Sequence, residues 1–112
     1  NNTTIRNDTL FIEGLYAKEI PIASITQVDD NATVPDIEMR TNGTSLGENN
    51  VGHFQTKEGK DVLLYLHSND TNVTHIKTKN NEDIYINFKD SALSVDFPNK
   101  LKAAFRRPVK GK

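Results

Sequence analysis

The chain contains no cysteine among its 112 residues, so disulfides and thiolate metal sites are excluded. It has no apolar run near the roughly 20 residues that a membrane-crossing helix needs. No signal-peptide pattern opens it, and no internal repeat or low-complexity block interrupts it. The opening "NNTTIRND" is polar and reads as a tether. A start at Asn1 rather than methionine is expected of a processed or excised form, with any anchor before it outside the sequence. The length suits one domain, expected to span 1–112 with a core at about 5–107 and flexible ends at 1–4 and 108–112.

Acidic and basic residues nearly balance, but unevenly along the chain. The net charge is −1, yet residues 97–112 hold six basic side chains and no acid, leaving −7 on residues 1–96. Seven Asn-x-Ser/Thr sequons occur, a by-product of a composition rich in Asn, Thr, Lys and Ile.

What the sequence does have is alternation. "TLFIEG" (9–14), "KEIPIASI" (18–25), "ITQV" (25–28), "DIEMRTN" (36–42), "VGHFQT" (51–56), "THIKTK" (74–79) and "DIYINF" (83–88) place β-formers at period two. "DVLLYLHS" (61–68) is nearly continuous in apolar residues, as in a strand buried on both faces. Turn residues separate these runs at "VDDNATVPD", "KEGKD", "HSNDTN" and "KNNED", the last three read as hairpin turns. About seven antiparallel strands, joined mainly by hairpins, predict a barrel or sandwich. Phe11, Phe54, Leu63, Tyr65, Ile76, Ile84 and Ile86 are its expected core.

The last segment changes period. Asp90 is a candidate N-cap, and Leu93, Phe97, Leu101 and Phe105 share a helical face that would plug the barrel. Pro98 argues for a helix that begins near Asp96 or Phe97, with the proline in its first turn.

"LFIEGLYAKEIPIASI", "VPDIEMRTNG", "VGHF", "VLLYL" and "INFKD", taken in order, resemble a bacterial family of pleckstrin-homology-like (PH-like) domains over about residues 5–105. The resemblance implies a mainly β PH-like barrel of about seven antiparallel strands capped by one C-terminal helix. It also implies a non-catalytic binding or interaction module in a membrane-associated bacterial protein. This domain would lie on one side of the membrane, the extracytoplasmic side being slightly favoured. Eukaryotic relatives of the fold bind phosphoinositides through basic residues around the first hairpin. Here "EGLYAKE" offers only Lys18, between Glu13 and Glu19.

Candidate chemistry is sparse. "RTNGTSLGENNVGHF" lacks the spacing and the lysine of a phosphate loop. It reads as a long hairpin loop with Gly43 in an Asn-Gly turn, Gly47 bending the loop and Gly52 a strand glycine at a bulge or under a crossing neighbour. The alternative is a small anion held by loop amides. His53, His67 and His75 are separated by 14 and 8 residues, which is no metal-ligand signature. They read as sheet histidines, or as a pH-sensitive patch if His67 and His75 face each other. No Gly-x-Ser-x-Gly motif and no carboxylate pair in an apolar setting supports an enzyme, and no cofactor or metal is expected. The basic end, Lys100, Lys102, Arg106, Arg107 and Lys110, is the candidate ligand-binding surface. It either solvates the negative end of the helix or contacts an anionic membrane or protein partner. Nucleic acid is not expected, because the body is acidic and has no aromatic platform among basic residues. Self-assembly into a homo-oligomer through edge strands is the alternative function.

Overall fold

The computed structural model describes residues 2–106, the side chain of Arg106 excepted. Nine strands precede one helix. They are β1 (Thr3–Arg6), β2 (Thr9–Ile12), β3 (Lys18–Pro21), β4 (Ile25–Asp29), β5 (Ile37–Leu46), β6 (Asn49–Thr56), β7 (Asp61–Leu66), β8 (Thr74–Thr78) and β9 (Asp83–Ile86). The helix, α1, spans Ser91–Arg106. The strands form two sheets, β1-β2-β3 and β4-β8-β9-β7-β6-β5, joined by a 3-10 turn at Ile22–Ser24. The mainly β architecture with a C-terminal helix is as expected, with nine strands rather than about seven.

The first strand is one of the additions. "NNTTIRND" is not a tether: Thr3 to Arg6 form β1, and Asn7 and Asp8 turn the chain into β2. Both turn residues have positive φ, 52° and 58°, as a two-residue hairpin matched to strand twist requires. Threonine and isoleucine then alternate well enough to pair with "TLFI".

The chain is also less of a meander than the turn residues suggest. β9 lies between β7 and β8, parallel to β7 and antiparallel to β8. "KNNED" is a hairpin turn, but "HSNDTN" carries the chain across from β7 to β8 past the slot that β9 fills. Asn87 holds that crossover. Its fully buried side chain accepts from the His67 amide at 2.8 Å and donates to the Ser68 carbonyl at 2.8 Å. A second Asn87 N–H reaches the Thr71 carbonyl at 3.4 Å.

β7 is buried on both faces, as its apolar run predicts. Leu63 and Tyr65 join Leu10, Ile12, Ile20, Ile76, Ile84 and Ile86 in the main core. Val62, Leu64 and Leu66 turn to the other face and pack with Phe54, Val34, Ile37 and Val73. Phe11 departs from expectation. Strand alternation gives the core to Leu10 and Ile12, and Phe11 lies outside with the Arg6 guanidinium 3.9 Å above its ring.

The segment 40–54 is not a long loop. β5 and β6 pair through it and turn tightly at Gly47, φ 59°, and Glu48. Gly43 makes no turn. It sits in β5 opposite Gly52, where a Cβ would stand 2.6 Å from the Val51 carbonyl oxygen. Gly52 has φ 118° and lies under the Tyr16 ring, in unbroken register with Gly43 and Leu64, so of its two readings the position under a neighbour holds and the bulge does not.

The helix starts earlier than Pro98 suggests. Asp90 Oδ1 accepts from the amides of Ala92 and Leu93 at 2.8 and 3.2 Å, a full N-cap. The Ser94 hydroxyl accepts from the Phe88 amide at 2.9 Å and donates to Thr71 Oγ1 at 3.0 Å. These bonds hold the first turns in place, so Pro98 falls inside the helix. Only Phe97 and Leu101 enter the core, while Leu93 and Phe105 stay 50% and 39% exposed. Residues four apart advance by about 400°, so each step drifts about 40° around the helix and the ends of such a row leave the buried face.

Candidate binding groove

A cavity of about 700 Å³ lies between β1 and α1. Thr3 and Ile5 form one wall, and Leu93, Phe97 and Ala104 the other. Phe88 and Phe97 meet edge to face at its base, with centroids 5.5 Å apart. Alanines 103 and 104 on the helix keep the groove open, and Lys100 is its one charged lining residue among the described residues.

The strand wall is an open sheet edge. The Asn2 carbonyl accepts from the Glu13 amide at 2.8 Å, extending the β1–β2 register by one hydrogen-bonded pair. Antiparallel pairs alternate between hydrogen-bonded and non-hydrogen-bonded. Thr4 and Arg6 therefore bond to β2, while the N–H and C=O groups of Thr3 and Ile5 point away from it. Among the described residues no strand pairs with that edge. The thin polar sequence "TTIR" hides this wall, and only its alternation of Thr3 and Ile5 with Thr4 and Arg6 hints at it.

The basic residues singled out in the sequence do not form one surface. Lys100 faces the groove, whereas Lys102 Nζ lies 3.6 Å from Asp30 Oδ1 on another side of the helix. Residues two apart on a helix project about 200° apart. The side chain of Arg106, and Arg107 and Lys110 entirely, lie outside the described residues. Around the first hairpins, cations face carboxylates: Lys18 stands 2.9 Å from Glu82 and Arg6 3.8 Å from Glu13.

The histidines are held apart, each by different partners. His53 is exposed on β6 with its ring edge-on to Tyr16, 6.2 Å between centroids. His67 Nδ1 stands 2.9 Å from Asn49 Oδ1, and burial pushes the ring's pKa down, favouring the neutral form. His75 lies between two carboxylates, 2.7 Å from Asp83 Oδ1 and 3.2 Å from Asp29 Oδ2, and stacks on Tyr85. His67 and His75 do not face each other, and among the described residues no three His, Asp or Glu side chains form a metal-holding group.

Asp83, which closes the turn sequence "KNNED", is not an exposed turn residue: it opens β9 and is 3% exposed. Burial alone would raise its pKa. Hydrogen bonds from Lys60 and His75 and the charges of Lys60 and Lys77 outweigh burial and hold it low. Lys60 Nζ lies 2.7 Å from Asp83 Oδ2, and its own pKa rises in response. The cluster ties the β6–β7 turn to β8 and β9. Tyr65 ties the first sheet in similarly, its hydroxyl donating to the Tyr16 carbonyl. Burial, and secondarily the charge of Glu82, pushes the Tyr65 pKa up to about 12, so the phenol remains a donor.

The family model for the bacterial PH domain matches residues 1–101, taking in all nine strands and the first two thirds of α1. Comparison with curated proteins and with solved structures found no match. No helix among the described residues is long and apolar enough to cross a membrane. Two sheets closed by a C-terminal helix agree with the family match, and this chain belongs to the bacterial PH-domain family.

Proposed function

We propose that the chain is a single non-catalytic binding module, spanning 1–112, that takes its ligand in the groove between β1 and α1. The observation that carries this is the meeting of an unpaired strand edge with an apolar helix face, half-exposed Leu93 included. Unpaired backbone groups and exposed apolar surface are both stabilised by being covered. The family match supports a binding module in general. The scattered histidines and the bonded Ser94 hydroxyl support a non-catalytic reading, since acid–base or nucleophilic work needs such groups converged. The membrane setting that the resemblance implies belongs to the same proposal: the module serves a membrane-associated protein, and its groove faces a partner there.

The test uses anilinonaphthalene sulfonate, an apolar anion suited to an apolar groove with one lysine. It is titrated into the labelled protein while amide resonances are followed. Shifts should concentrate on Thr3, Ile5, Phe88, Lys100 and Ala104, and Ala104→Arg should abolish them. Shifts centred elsewhere, or none at millimolar dye, would overturn the reading.

A further inference from the structure

We infer that the occupant of this groove is an extended peptide segment that adds to β1 as a fourth strand of the first sheet, with a carboxylate opposite Lys100. The inference rests on the groove being the binding site.

Three observations converge on that chemistry. The outward N–H and C=O groups of Thr3 and Ile5 offer two donors and two acceptors in strand register. They repeat every second residue, about 6.7 Å, which is the repeat of another extended backbone. Thr3 and Ile5 share their face with the core residues Ile12 and Leu10. A strand added beside them would therefore lay every second side chain over Phe97 and Ala104, selecting apolar residues at alternate positions. Lys100 supplies the third feature. It is exposed, and among the described residues it is the one charge lining the groove and no carboxylate pairs with it.

Other occupants fit less well. An anionic lipid headgroup needs several converging cations, yet Lys102, Arg6 and Lys18 are each turned to a carboxylate elsewhere. A second copy would have to offer an edge of its own. β1 carries Arg6 and no acid. β3 carries Glu19, but it is four residues long and ends in Pro21, which has no N–H to give. β4 and β5 carry Asp29 and Glu38, but the pairing of each shifts register, at Ile25/Gln27 in β4 and at Ile37/Met39 and Arg40/Asn42 in β5. Bulges of that kind twist an edge away from further pairing.

The experiment selects from a random linear peptide library displayed on phage, against the full chain and against Lys100→Glu and Ala104→Arg. Lys100 is exposed, so its reversal leaves the fold intact, checked by amide spectra. Sequences enriched on the wild type should alternate apolar residues and carry Asp or Glu at a fixed position. Lys100→Glu should lower affinity for a selected synthetic peptide about tenfold and re-select for Lys or Arg at that position. Bound peptide should slow amide exchange of Thr3 and Ile5.

Enrichment without an acidic position, or with equal recovery on Ala104→Arg, would overturn the inference. So would amide protection of Thr3 and Ile5 in a dimer of the chain alone, which would make a second copy the occupant. Salt-sensitive co-sedimentation with phosphatidylglycerol vesicles, lost in Lys100→Glu, would make it a lipid. If the dye still maps to the groove while the library yields nothing, the groove stands as a binding site and the peptide does not. If neither binds, both readings fall.

Discussion

Replacing Asn87 with alanine should destabilise the protein by about 3 kcal/mol, although no charge is removed and little apolar surface changes. The side chain is fully buried and holds two bonds of 2.8 Å, from the His67 amide and to the Ser68 carbonyl. Truncation leaves both backbone groups without a partner, at about 1–3 kcal/mol for each buried group. The small cavity adds to this, and water entering it subtracts. The weaker contact to the Thr71 carbonyl at 3.4 Å is a minor contribution. A domain of this size has roughly 5–15 kcal/mol in total, so the loss should be plain in urea unfolding and lower Tm by about 12 °C. The control is Asn99→Ala, which removes an exposed contact of 3.5 Å to the Val95 carbonyl and should change almost nothing. If the two variants lose equal stability, or Asn87→Ala loses less than about 1 kcal/mol, the crossover is not held by this amide and the argument fails.

Three further outcomes follow from the geometry. Gly52→Ala should cost about 3 kcal/mol or more, because φ is 118° and the new methyl would lie 2.6 Å from the Asn42 carbonyl oxygen; Gly47→Ala, with φ 59° in open space, should cost about 1 kcal/mol, and equal Tm losses would refute the steric account. Asp83 has a lowered folded pKa, so its stabilisation is present above the unfolded carboxylate value near 4 and lost as pH falls through the folded value. Asp83→Asn should therefore be less stable than wild type at neutral pH and converge on it below about pH 4, and a constant gap across an acid titration would count against this. Pro98→Ala should stabilise by about 1 kcal/mol, since the roughly 3 kcal/mol from returning an N–H to the helix interior is partly offset by the loss of two buried ring methylenes, and a lowered urea midpoint would show that the proline suits its site.

Period-two alternation and apolar content were enough to identify most strands, and the doubly buried β7 could be read from "VLLYL" because a strand covered on both faces must be apolar throughout. The same reasoning failed for "TTIR", whose polar threonines conceal a strand, and for Pro98, because propensity weighs a residue without knowing that Asp90 and Ser94 secure the turns before it. The basic end was legible as charge but not as a surface: one lysine rims the groove and another turns to Asp30, a division set by helical angle and by what packs nearby. The sequence by itself determined the class of the fold, most of its core-facing strand residues and its family, since these depend on local pattern repeated along the chain. Only the tertiary structure decided that β9 enters between β7 and β8, that Asn87 and Asp83 are buried, and that β1 meets α1 across an open groove. Each is a contact between residues distant in sequence, and local pattern carries no information about which distant segment will arrive beside it.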